Sequence, residues 1–379
     1  MNKGIRCHKN VELKGNKKMK TQKRVIGMLL MLVVFTTLLV PGQAQGSGLT
    51  NSPSGDLDEI SSYVGDVYLS LFDPLDNTRD SVYLGNKLSS YRVEDNGDII
   101  ISDYEVYPII RGNSVVGIAN VIKIDGVVYQ ISCGVDFAPE LYGLLSNNQQ
   151  EEFAVLYSRD GVYIESSSGR LSCIKQYFDN NATRYNNISI AQNINLEYAS
   201  LTKAVEITEI STPTRALEYK SLSPVTVASN TSTTCCPGGL CTYASIATIT
   251  NYFEGTSRTA LTVHSTKGHA GSNYNSDVIT WLKSYGRTAS GSSSFNYSSH
   301  KNSIDATKFS LIDCQATGSA HYLISHGYAW ETTSTTKNFY YLDTNNVNSG
   351  YISSFPSSGT VYIAHGGYNY WVNYCISVG

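Results

Sequence analysis

The residues best suited to covalent chemistry are a cysteine, a histidine and an aspartate, met in that order along the chain. Cys241 ends the run Cys235-Cys236-Pro237-Gly238-Gly239-Leu240-Cys241 and opens Thr242-Tyr243-Ala244-Ser245-Ile246-Ala247-Thr248-Ile249-Thr250-Asn251-Tyr252-Phe253. Ile246, Ile249 and Phe253 recur with helical spacing, so a glycine turn leads into a helix that begins at Cys241. Unpaired amides at a helix N-terminus carry partial positive charge, which favours a thiolate over a thiol. Such a sulfur is nucleophilic near neutral pH. From this segment alone, a purely structural role for all three cysteines stands equally open.

The segment Gly318-Ser319-Ala320-His321-Tyr322-Leu323-Ile324-Ser325-His326-Gly327-Tyr328-Ala329-Trp330 tips the balance, together with Asn338-Phe339-Tyr340-Tyr341-Leu342-Asp343-Thr344-Asn345-Asn346 further on. Both read as strands joined by a polar turn. His321 opens the first and Asp343 closes the second, so a hairpin brings them together. An imidazole oriented by a carboxylate is the base that a cysteine nucleophile needs. Asn345 and Asn346 are the alternatives for the third position, since strand register is uncertain by two residues. His326 points to the opposite face from His321. His365, in Ala364-His365-Gly366-Gly367, reads as a turn residue at the surface or in contact with a ligand, and His264, His269 and His300 read as solvent-exposed. A zinc site at Cys235, Cys236 or Cys241 lacks a second ligand pair with the usual spacing, so neither metal nor cofactor is expected.

The elements that must position these residues fall into two halves, as a chain of 379 residues allows. From Val67 to about Ile174 apolar and polar residues alternate, punctuated by Asn96-Gly97, Asp125-Gly126 and Asp160-Gly161, which suit tight hairpins. Val115, Gly117, Ala119 and Val121 share one predicted face, with Ile118 and Ile122 on the other, and Pro139 to Leu145 adds a short helix. Residues 207–234 are rich in Ser, Thr and Pro and read as an exposed linker, with Arg215 and Lys220 as points open to cleavage. Beyond it come two helices, the second with Val278, Trp281, Leu282 and Tyr285 on one face, capped by Asn275 or Ser276 and ended by Gly286. Strands follow. The class is α+β, with a sheet-rich half at 45–206 and a mixed half at 235–379.

The net charge of -3 and the charged fraction of 16% leave no basic surface for nucleic acid. Lys17 to Arg24 precede the apolar run Val25 to Val40 and small residues at Gly42 and Ala44, the form of a cleaved signal peptide over residues 1–44. The uncharged run is shorter than the roughly 20 residues a spanning helix needs. Export of the mature chain is therefore expected. Of eight cysteines, Cys7 precedes the signal segment, and the odd remainder leaves one thiol unpaired within the chain. Cys133 with Cys173, and Cys236 with Cys314 or Cys375, are candidate disulfides.

A cysteine at the start of a helix that ends in Asn251-Tyr252-Phe253, a His321 strand running to Gly327-Tyr328, and Asp343 on the next strand resemble papain-like cysteine peptidases. The similarity is to the double-glycine (bacteriocin-processing) peptidase-like and streptopain-like branches, and covers about residues 234–379. The chain departs from them with Cys235 where members carry a Gln and Thr242 in place of Gly. The resemblance implies a papain-like fold and hydrolysis of peptide or protein substrates through a thioester, with Cys241, His321 and Asp343 catalytic and the Cys241 amide in the oxyanion hole. It also implies a secreted zymogen whose own N-terminal domain is an intramolecular inhibitor. Cell-wall peptide amidases and transglutaminase-like enzymes use the same residue order. A non-catalytic surface-binding protein, suggested by 28 Tyr, is the reading from another class.

Overall fold

The computed structural model describes residues 53–72, 80–94, 96–147, 152–159, 161–177, 196–207, 217–223, 225–230, 240–269, 274–317, 319–331, 336–345 and 350–379. The signal segment, Cys7, Arg215, Cys235, Cys236 and Asn346 lie outside them. The chain begins with α1 (Pro53–Tyr63), which continues through a wider turn over Val64–Leu69. Then come β1 (Val82–Gly85), β2 (Ser89–Val93), β3 (Ile99–Ile101), β4 (Glu105–Arg111), β5 (Ser114–Ile124), β6 (Val127–Gly134), α2 (Ala138–Asn147), β7 (Phe153–Ser158), β8 (Gly161–Ser166), β9 (Leu171–Gln176) and β10 (Lys203–Ile207). The second half holds β11 (Leu217–Ser221), α3 (Cys241–Glu254), α4 (Ala260–Lys267), α5 (Tyr274–Ser284), β12 (Ala289–Ser292), α6 (Tyr297–Asp305), β13 (Phe309–Ala316) and β14 (Ser319–Glu331). It ends with β15 (Lys337–Asp343), β16 (Gly350–Ser354), β17 (Tyr362–His365) and β18 (Tyr368–Val378).

The class is α+β and sheet-rich, as the alternation of the first half and the mixed texture of the second imply. One sheet of 13 strands runs β10-β1-β4-β5-β6-β16-β15-β14-β13-β18-β12, with β11 added on β14 and β17 on β18. A second sheet, β3-β2-β7-β8-β9, is antiparallel except where β2 and β7 run parallel. The large sheet passes from the first half to the second through the β6/β16 pair, and Ser52–Gly379 packs as one compact unit. One core continues across the join: Ile60, Val64, Leu84 and Ile109 of the first half pack with Ala329, Tyr340 and Ile352 of the second.

Several expectations are corrected. Residues 217–221 lie in the expected linker yet form β11, because Gly327 of β14 lets that backbone approach: a Cβ there would stand 2.7 Å from the Lys220 carbonyl. Lys220 is therefore paired opposite Tyr328 and donates to the Asp305 carbonyl. The face expected for β5 breaks at a bulge near Val116, so Val115 joins Ile118 and Ile122 on one side while Ala119 and Val121 face the other. Helices α4 and α6 went unread; both are short and polar, with only Ala260 and Val263, or Tyr297, His300 and Ile304, buried. Asn275 does not cap α5. It lies inside that helix and bonds Asp313 and the Tyr322 hydroxyl. Cys133 is a fully buried free thiol in β6, so the Cys133–Cys173 disulfide does not form.

His300, expected at the surface, is buried where α6 packs on the sheet. Its Nδ1 meets Ser310 Oγ at 2.9 Å and its Nε2 meets the Gly327 carbonyl at 2.8 Å, which uses both nitrogens of a neutral ring. Burial pushes its pKa down to about 4. The unfolded chain thus binds a proton below about pH 6.5 that the folded chain refuses, and stability falls with pH between those values. His300→Gln keeps a donor for Gly327 without titrating. The wild type should lose about 2 kcal/mol more than this variant between pH 6.5 and 5, read by urea unfolding at each pH; parallel losses would refute the assignment.

Candidate active site

Helix α3 sets the cysteine. Its buried residues Ala244, Ile246, Ala247 and Ile249 pack in one core with Leu311, Tyr322, Ile324 and Ile376 of the sheet. That packing lays the first turn against the start of β14, with Ser245 Oγ reaching the Tyr322 carbonyl. Cys241, the first residue of the helix, is partly exposed. Leu240, at the N-cap, offers no side-chain cap, whereas Ser, Thr, Asp or Asn usually satisfies the first amides. Helix-start amides left uncapped are the donors an oxyanion needs.

The hairpin of β14 and β15 sets the other two groups. In its register Leu323 stands opposite Asp343, which places His321 one pleat beyond and on the same face. His321 Nε2 meets Asp343 Oδ1 at 2.9 Å, with both side chains buried. The ring's remaining nitrogen is left for Cys241, whose thiol is hydrogen-bonded to His321 and receives the Tyr322 backbone amide. Burial alone would raise the thiol pKa; the His321 bond and charge outweigh it and hold it below the ordinary value. Burial alone would likewise lower His321, but Asp343 and Cys241 push it up to about 10. Asp343 is buried too, yet the charge of His321 and the hydrogen bonds from His321 and His365 keep it well below the carboxylate range. Both shifts favour a thiolate and an imidazolium beside the carboxylate.

All three expected residues thus meet at one point. His326 does not join them: it is the extra residue of a bulge in β14, and its Nδ1 faces the Leu222 carbonyl at 3.2 Å. His365, read as a surface or contact residue, belongs to the site. Its Nδ1 lies 2.8 Å from Asp343 Oδ2, and its ring stacks on His321 with centroids 4.6 Å apart. Gly366 and Gly367, with φ of 57° and 83°, make the tight turn between β17 and β18 that leaves His365 facing inward. The turn is held from the first half by the Asp103 amide and Arg92, which both donate to the Gly367 carbonyl. Asn230, from the segment expected as linker, was also missed. The only signal for either was a polar residue in an otherwise unexplained turn.

His321, Asp343 and His365 bring three ligand atoms within 4.8 Å. The two rings are only 8° from parallel, so no single ion can lie in both ring planes, and each histidine already meets its own Asp343 oxygen. The arrangement suits shared protons better than a metal.

Beside His321 lies a cleft of about 280 Å³ lined by Ser319, Ala320, His365 and Tyr370 on one side and by Arg92, Tyr157, Arg159 and Tyr177 of the first half on the other. The chain matches no protein-family model and no curated protein. His321→Ala should slow alkylation of Cys241 by iodoacetamide at pH 6 about 100-fold, since an ordinary thiol near pKa 8.5 is scarcely ionised there. Mass spectrometry of the Cys241 peptide reads the rate, and an unchanged rate would refute the ion pair.

Proposed function

We propose that this chain is a secreted papain-like cysteine endopeptidase made as a zymogen. The observation that carries the reading is the Cys241 thiol at an uncapped helix start, bonded to His321, whose far nitrogen is held by Asp343. In this reading the Cys241 thiolate attacks the carbonyl carbon of a peptide bond, and the oxygen takes the negative charge beside the first amides of α3. The C–N bond then breaks. His321 passes its proton to the leaving amine, and the acyl group stays on sulfur as a thioester. Water, deprotonated by His321, attacks the thioester; a carboxylic acid leaves and the thiolate and imidazolium return. Asp343 orients the ring and stabilises its charge throughout.

Supporting the zymogen arrangement, the wall of the cleft over His321 comes from the first half of the chain. A substrate laid across His321 meets Tyr157, Arg159 and Tyr177 there. Export on the N-terminal basic and apolar segment belongs to the same proposal.

Casein digestion by the full chain after it has been cut between its two halves, in wild-type, Cys241→Ala and Asp343→Asn forms, tests the enzyme. Cys241→Ala should abolish cleavage and Asp343→Asn should lower kcat by about 100-fold or more; digestion that survives Cys241→Ala would end the reading. A site for a specific protease introduced within residues 208–216 tests the zymogen. Nicking should raise the rate by about tenfold or more, whereas an equal rate would make the first half a permanent wall of the cleft.

A further inference from the structure

Beyond the three residues at the thiol, hydrogen bonds run from Asp343 back to the helix that carries the cysteine. His365 Nδ1 meets Asp343 Oδ2 at 2.8 Å. Asn345 Nδ2 meets His365 Nε2 at 3.2 Å, and its own backbone amide donates to Asp343 Oδ1 at 2.8 Å. Asn230 Nδ2 donates to Asn345 Oδ1 at 2.6 Å, while Asn230 Oδ1 accepts the Leu240 amide at 2.5 Å. Leu240 is the residue before Cys241. The bonds therefore close a ring: Cys241, His321, Asp343, His365, Asn345, Asn230, and back to the start of α3.

The direction of each bond is fixed by its neighbour. Asn230 uses its carbonyl on an amide that can only donate, so its NH₂ must donate to Asn345 Oδ1. Asn345 then has only its own NH₂ for His365 Nε2, which must accept. A neutral imidazole that accepts at Nε2 carries its proton at Nδ1. His365 therefore donates to Asp343 as a neutral group. That leaves Asp343 with one donor on Oδ2 and two on Oδ1, His321 and the Asn345 amide.

We infer that His365, fixed in one tautomer by Asn345 and Asn230, is a positioning residue that holds Asp343 as an ionised acceptor for His321. The inference rests on the cysteine-peptidase reading and deepens it. Stacking keeps the His365 ring parallel to His321, so the two rings are placed as one unit against the carboxylate. Titratable or charged groups near His365 include Tyr177, whose ring stands 5.3 Å away, Tyr370 at 6.1 Å, Arg92 and Arg159 in the same cleft, and the carboxyl of Asp136, which burial raises to about 6. Tyr177 and Tyr370 stay neutral, because burial raises both. Asp136 takes up a proton on its own carboxyl below about pH 6.

Two variants separate the hydrogen bond from the ring. His365→Phe keeps the stacked ring and loses both nitrogens, while His365→Asn places an amide NH₂ near the position of Nδ1 and loses the ring. Alkylation of Cys241 by iodoacetamide is followed from about pH 5 to 9 in the full chain, with a melting curve for each variant. His365→Phe should move the acid limb of the profile up by about one pH unit, slowing the reaction about tenfold at pH 6. His365→Asn should stay within about threefold of wild type. Asn345→Ala, which frees the tautomer, should give a smaller shift in the same direction, and it serves if His365→Phe does not fold. A His365→Phe or Asn345→Ala profile that overlays the wild type, or His365→Asn as slow as His365→Phe, would overturn the inference. The peptidase reading fails separately: an acid-shifted wild-type thiolate that depends on His365 without casein cleavage would keep the positioning role and discard the peptidase.

Discussion

A carboxylate buried to 2% exposure holds its charge only where the fold supplies donors, and everything around Asp343 follows from that requirement. Three separate pieces of backbone deliver them. The end of β15 turns back so that the Asn345 amide bonds the residue two before it, β14 brings His321, and the β17–β18 turn brings His365. Loss of any donor would leave a buried charge short of a partner, which costs more than the bond itself contributes. The same saturation gives the site its chemistry. A fixed anion on the far side of His321 favours a proton on the ring and negative charge on the sulfur beside it.

The start of α3 shows the complementary economy. Most helices close their first turn with a polar cap, which typically contributes about 1 kcal/mol. Here Leu240 stands at that position, 1% exposed and packed into the core with Tyr243 and Ala244. The helix is held by burial of its apolar face, so its first amides need not be satisfied from within. Asn230 takes the Leu240 amide and so ties the approach to the helix to the β15 end. Burial on one side and a ring of amides on the other keep sulfur and imidazole in register.

The first half of the chain is part of the same scaffold. Sheet pairing through β6 and β16, the shared core around Ile60 and Ile352, and the clasp of Asp103 and Arg92 on Gly367 mean that the turn carrying His365 is seated partly by residues as much as 275 positions earlier in the chain. A covering domain with so much shared sheet does not leave by opening a hinge. Its release, in the proposed zymogen, requires cutting the chain and breaking strand pairs.

Local pattern was enough to place Cys241 at a helix start and His321 and Asp343 at the ends of paired strands, because helical and strand periodicity are properties of consecutive residues. The hairpins at Asp125-Gly126 and the alternating strands of the first half were legible for the same reason. The roles of Asn230, Asn345 and His365 were not. Their roles depend on contacts between segments 115 residues apart for the two asparagines and as much as 275 for the turn that carries His365, and nothing in the adjoining residues records those contacts. His300 and β11 were misread for a related cause: polar stretches look exposed until a glycine such as Gly327 opens room for one to pair and another to be covered. Residue type and local periodicity are enough to show that Cys241, His321 and Asp343 can do chemistry and which elements carry them. Tertiary structure alone decided the saturation of Asp343, because burial, close approach and ring stacking exist only once distant segments are packed.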